Sequence, residues 1–198
     1  MPGVDFSATT IANRALFFCG INKRIAALTD ATPEARAIRE VYDSVLEESL
    51  RKWPWKFATQ RAILAENATA PLHTREKSFA LPVTCLYLLP PDPEADFTQR
   101  DWQIEGRNII TNFSDPPEIR FIAREEDPNV MTPDFRKAFA CEIARAVAPA
   151  LTNSTQKVQK LTEDCAMFWA EAQMADAAEG PPRDLQPDEQ DIWLESRL

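Results

Sequence analysis

The chain has 198 residues, of which 44% are apolar and 27% charged, and carries a formal net charge of −9. These proportions fit a globular chain with a real core, and the acidic balance argues against specific DNA or RNA binding, which rests on Lys and Arg neutralising phosphates. No apolar run approaches the ~20 residues that span a bilayer, and MPGVDFSATT lacks the basic-then-apolar order of a secretory signal, so folding in a cytoplasm is expected.

Residues 8–20 read as a first helix. Ser7 can cap it, Ile11, Ala12, Ala15, Leu16 and Cys19 recur at helical spacing, and Gly20 suits its stop. The clearest helix covers 33–52. Thr32 is its N-cap, Pro33 fits its first position, and Glu34 sits at the positive end of the dipole. Ile38, Val41, Tyr42, Val45, Leu46 and Leu50 form one apolar stripe. On the opposite face Arg36–Glu40, Arg39–Asp43 and Glu47–Arg51 are spaced for ion pairs along the helix. Trp53 extends the stripe, and Pro54 ends it.

The pattern then changes. FATQRAILA (57–65), SFALPVTCLYLL (78–89), WQIEGRNIIT (102–111) and PEIRFIAR (117–124) are short and partly alternating, which predicts a β insertion of three or four strands over 57–124. WQIEGRNIIT reads as a hairpin turning at Gly106. Thr132-Pro133-Asp134 restarts a helix over 133–151, with Phe135, Phe139, Ile143, Val147 and Leu151 on one stripe. Ala138, Cys141, Ala144 and Ala148 would admit a close neighbour, and Pro149 should kink or end the helix. Asn153 or Ser154 caps a fourth helix over 155–178, with the stripe Val158, Leu161, Cys165, Phe168, Ala172 and Ala175. Glu179-Gly180-Pro181-Pro182 stops it. The fold class expected is mainly α with a small β insertion (α+β). It has a four-helix bundle-like core from 1–56 and 125–179, a short antiparallel β subdomain over 57–124 between helices 2 and 3, and an extended C-terminal arm over 180–198.

Chemistry is hard to place. With four glycines against sixteen prolines, no phosphate-cradling loop occurs. Cys19, Cys85, Cys141 and Cys165 have no CxxC spacing and His73 is the single histidine, so a metal site is poorly supported and no cofactor is expected. The cysteines read as free buried thiols. Glu47–Glu48 and Glu125–Glu126–Asp127 are adjacent acids. The first pair points apart on a helix and the second trio reads as a solvated turn, so a peptidoglycan-degrading virion enzyme stands only as an alternative. A Ser-His-Asp or Cys-His mechanism would need His73, in the polar stretch NATAPLHTRE, which reads as an exposed loop.

Several stretches, in this order, resemble the tail tubular protein A family, the head-to-tail adaptors of short-tailed phages and related prophages. They are IANRALFFCGINKRIAALTD, ATPEARAIREVYDSVLEESLRKWPWKFATQRAILA with its W-P-W-x-F-A element, FALPVTCLYLL, WQIEGRNIITN, IRFIAREEDPNVMTPDFRKAFACEIARAVAPALT, and the ending IWLESRL. They span nearly the whole chain. The resemblance implies no catalysis. It implies a viral head-tail connector that forms a ring, typically a dodecamer of this chain, below the portal protein in the virion neck. Genomic DNA would pass through the lumen without specific binding, a next tail component (nozzle or tail tubular protein B-like) would dock on it, and no membrane would be involved. Assembly would occur in the host cytoplasm, the chain staying monomeric until the portal templates the ring. In that family the C-terminal arm docks into the portal, a role that falls here on Asp191, Ile192, Trp193, Leu194 and Arg197. The other reading of those residues folds the tail back on its own bundle, burying Trp193. Trp53, Pro54, Trp55 and Phe57 either fix the angle between helix and insertion or anchor a subunit interface. A non-phage helical interaction module is the further alternative.

Overall fold

The computed structural model describes residues 6–72, 75–90 and 102–180. Its larger layer is helical: α1 (Ala8–Cys19), α2 (Pro33–Arg51), α3 (Pro133–Thr152) and α4 (Thr155–Ala178). Each starts on a hydroxyl that accepts an otherwise unpaired N–H: Ser7 from Thr10, Thr32 from Ala35, Thr132 from Phe135 and Ser154 from Lys157. α1 ends on Gly20 at φ 81 and α3 on Asn153 at φ 51, both left-handed. Pro149 does not stop α3, which runs on to Thr152. So near the C-terminal end, one missing N–H donor costs too little to break the helix.

α3 is the central helix, and α1, α2 and α4 all pack against it. Its small buried residues Ala138, Cys141, Ala144 and Ala148 let those neighbours approach. The inward face of α4 is Leu161, Cys165, Trp169, Ala172 and Asp176. It is therefore rotated from the expected stripe: Phe168 is only partly buried, and Trp169 takes the inward place. Two expectations are corrected here. Cys141 and Cys165 are not free thiols but a disulfide joining α3 to α4, with Cα atoms 5.6 Å apart, because small residues bring the two helices close at that level. Cys19 and Cys85 stay free and buried. The charges of α2 also pair off the helix. Arg39 donates to the carbonyl of Leu28, Arg51 to that of Leu86, and Asp43 and Glu47 both receive Arg124.

The described residues between α2 and α3 hold a short 3-10 turn (Lys56–Ala58) and six strands rather than three or four. These are β1 (Thr59–Ile63), β2 (Lys77–Ala80), β3 (Cys85–Leu88), β4 (Trp102–Glu105), β5 (Asn108–Thr111) and β6 (Glu118–Ala123). They form two antiparallel three-stranded sheets, ordered β1-β6-β3 and β2-β5-β4. The stretch 78–89, which reads as one segment, is split by a turn after Pro82 into strands of different sheets. The hairpin at Gly106 forms as expected, with that glycine at φ 58.

β6 explains the layering. Its alternation sends Ile119, Phe121 and Ala123 to one face, where they meet Phe79 and Ile109 of the second sheet. Ile122 faces the helices instead. Its partner in register is Tyr87, which also packs on the helical core, and an irregularity between Cys85 and Tyr87 lets Leu86 join it there. The first sheet is thus the middle layer between the helices and the second sheet. Among the described residues no helix is long and apolar enough to cross a membrane.

Candidate functional site

The residues LRKWPWKF form the junction between the helical and β layers. Pro54 cannot continue α2, so the chain turns, with the Trp55 N–H donating to the Trp53 carbonyl at 2.9 Å. Trp55 is fully buried. Its Nε1–H donates to the Ser49 carbonyl at 3.0 Å, and its ring meets Phe135 edge-on at 5.1 Å and Trp169 at 5.8 Å. Phe57 packs edge-on to Phe135 at 4.9 Å. Trp53, half-buried, turns the other way and donates its Nε1–H to Asp176 Oδ2 at 3.0 Å. All three rings therefore contact the chain's own helices.

Asp176 is 3% exposed, near the end of α4, and it ties that end to the junction. Its second oxygen accepts the Lys56 backbone N–H at 3.0 Å, while Lys56 Nζ donates to the carbonyls of Asp176 and Ala177. Gly180 lies against the same lysine; a Cβ built there would be 3.4 Å from Lys56 Nζ. Gly180, the last described residue, therefore lies at the junction. The portal-docking candidates Asp191, Ile192, Trp193, Leu194 and Arg197 lie outside the described residues, as does His73.

A second polar knot centres on α3. Glu142, 5% exposed on α3, accepts from Trp169 Nε1 at 3.1 Å and pairs with Arg145 and with Lys52 at 3.3 Å. Lys52 also sits 4.7 Å above the Trp169 ring. Burial pushes the Glu142 carboxyl up, but hydrogen bonds from Arg145 and Trp169 and the charges of Lys52 and Arg145 outweigh it, leaving the group below its ordinary value. On the outer side Arg124 gathers Glu47 at 2.6 Å, Glu126 at 2.7 Å and Asp43 at 3.0 Å, joining the end of β6 to α2. The acids considered for hydrolysis serve as partners here. Glu47 and Glu126 hold one arginine, and Glu125 accepts the Asp127 N–H at 2.9 Å. Among the described residues no group of three or more His, Cys, Asp or Glu is placed to hold a metal ion.

Asp176, Glu142 and Trp169 are absent from the sequence reading. A signal existed for the first: Asp176 falls four residues beyond Ala172 on the inward stripe, and an acid at such a position needs dedicated donors. Glu142 carries only a weak local signal, the i,i+3 spacing to Arg145 on its own helix, because its other partners, Lys52 after α2 and Trp169 on α4, are remote in sequence. The chain matches no protein-family model and no curated protein.

Proposed function

We propose that this chain is a structural adaptor of the tail tubular protein A kind. It would be a stave of a ring, about twelve copies strong in the resembled family, set between the portal protein and the next tail component around a DNA channel in the virion neck. In this reading the helices act as one bundle, the β layers offer a docking surface to the next component, and residues 181–198 act as an arm that enters the portal. Staves with complementary head-to-tail faces close into rings, and an acidic surface keeps passing DNA from adhering.

The observation that supports this most is the junction. The motif that carries the resemblance, Trp53-Pro54-Trp55-Lys56-Phe57, is where the two layers meet, and Asp176 fastens the root of the arm to it. A rigid root lets a short arm be presented in one direction, which lowers the ordering cost of docking. Light scattering on the purified chain, alone and with the portal protein encoded in the same genome, tests the reading. The expected result is a monomer alone, a ring on the portal, and loss of binding on deletion of residues 184–198. A chain that ignores the portal, or binds it equally well without those residues, would overturn it.

A further inference from the structure

α1 and the loop after it bound an open groove of about 550 Å³, lined by Thr10, Asn13, Arg14, Phe17, Ile21 and Arg24. Phe17 is 72% exposed there, a large ring left on the surface of a helix whose other apolar residues are mostly buried. The far wall is held in shape by its own bonds. The Asn13 amide donates to the Ile25 carbonyl and accepts the Ile25 N–H, both at 2.9 Å, and Asp30 accepts the N–H groups of Ala26 and Ala27. The groove is cationic in a protein that is acidic overall. Arg14 and Arg24 line it, and Arg136 lies near enough to Arg14 to feel its charge.

We infer that this groove is the parking site of the chain's own C-terminal segment, with the Ile192-Trp193-Leu194 triad on Phe17 and Ile21 and the flanking carboxylates on Arg14 and Arg24. Three observations select this occupant. The first is charge. Beyond Gly180 the sequence carries Asp184, Asp188, Glu189, Asp191 and Glu195 against only Arg183 and Arg197, the complement of the groove. The second is that two other exposed apolar places lack such a pair of lining arginines. Met167 and Met174 on α4 are flanked by Glu163 and Glu171, and the hollow at Leu72 and Ile110 is lined by Glu105 and no cation.

The third is reach. Phe18 packs near Phe168 at 5.8 Å and Gly20 lies beside Lys157, so the C-terminal end of α1, with the groove residue Phe17 and the following Ile21, sits next to the Lys157–Phe168 stretch of α4. Helical rise puts Gly180 about 18 Å past Phe168 and about 35 Å past Lys157. Thirteen extended residues from Gly180 to Trp193 span about 43 Å, enough to return along the helix within one molecule.

This goes beyond the adaptor reading and stands without a portal. It makes the groove a competitor for the arm in the free protein, so anything that binds the arm must first lift it off.

The test is disulfide trapping in the full chain, with Asn22→Cys, at a position that also lines the groove between Ile21 and Arg24, and Glu195→Cys beside the triad. The pair should close within one molecule about tenfold faster than a control pair of Thr69→Cys with Glu195→Cys, as a tethered segment on its site gives a high local concentration. The rate should fall toward the control on adding R14E with R24E or, outside the described fold, W193A, and it should fall with salt. Closure no faster than the control, or closure insensitive to all these changes, would overturn the proposal. So would closure only between two molecules, which would place the tail on a second copy. None of these outcomes touches portal binding, so the adaptor reading stands or falls separately.

Discussion

The helical layer and the β layers are held together in different ways. The helices surround α3 with a continuous apolar core, a disulfide and two buried carboxylates, each with several donors. The second sheet, β2-β5-β4, has a small core of Phe79 and Ile109 against the middle sheet, and Leu72, Val83 and Ile104 nearby are left exposed. The middle sheet belongs to both parts, because β6 alternates between them. Thickness of core, rather than number of hydrogen bonds, should rank their stability. The outer sheet should open first and the α3 surroundings last.

The sharpest way to break that ranking is a pair of truncations of fully buried rings. Trp55→Ala removes a ring packed on Phe135 and Trp169 and takes one of two N–H donors from the Ser49 carbonyl, leaving it that of Lys52. It should cost about 3–5 kcal/mol of global stability in denaturant unfolding. Phe79→Ala removes an equally buried, somewhat smaller ring from the outer sheet, yet its loss should register mainly as faster amide exchange in β2 and β5. Equal losses of global stability for both would show that the layers unfold as one unit.

How much of this was legible in the sequence follows the same divide. Helix starts were readable because Ser7, Thr32, Thr132 and Ser154 act within three residues of the donors they cap. Strand pairing was not. β1 pairs with β6 across more than fifty residues and β2 with β5 across the 91–100 stretch, and nothing local in KSFA or CLYL says that they belong to different sheets. The W-P-W element was readable as a junction, since Pro54 forbids further helix. Its partner Asp176 lies 120 residues away from Lys56 and emerges only from the packing of α4 on the turn. The disulfide was missed for the same reason, since a spacing of 24 residues carries no local signature.

That disulfide sharpens the comparison next. Cys141 and Cys165 should be silent to a thiol reagent in denaturant without reductant and appear only after reduction, while Cys19 and Cys85 react at once on unfolding. In the folded protein Cys19 should be slow, because burial, only partly offset by the nearby Lys157 charge, pushes its thiol up to about 11. Reduction, or Cys141→Ala, should cost about 2–4 kcal/mol of helical-layer stability and leave exchange in β4 and β5 unchanged. Four thiols titrating without reductant would remove this tie from the helical side.

A smaller effect separates the layers by pH. The Glu142 carboxyl lies below its ordinary value of 4.5 when folded, so its contribution to stability is complete above that pH and is lost as pH falls through the lower, folded value. Glu142→Gln should cost about 1–3 kcal/mol at pH 7 and flatten the acid slope of the helical transition below pH 4.5. An unchanged slope in the variant would mean that the buried network is not what makes the helical layer acid-sensitive.

The smallest effect compares two glycines in left-handed turns. Gly20 closes α1 at φ 81 and Gly106 turns the β4–β5 hairpin at φ 58. A Cβ at Gly106 would meet nothing within 4 Å, and one at Gly20 only the flexible end of Lys157. Neither site is crowded, so an alanine at either should carry only the left-handed penalty of about 1–2 kcal/mol, and asparagine should recover part of it. The local cost being equal, any difference in readout reports the layer. Gly20→Ala should lower the midpoint of global unfolding by the full amount, because α1 melts only with the core. Gly106→Ala should instead speed exchange at the amides of β4 and β5 and barely move the global midpoint. If the two midpoints fall together, the outer sheet is as firmly coupled to α3 as α1 is, through the alternating face of β6.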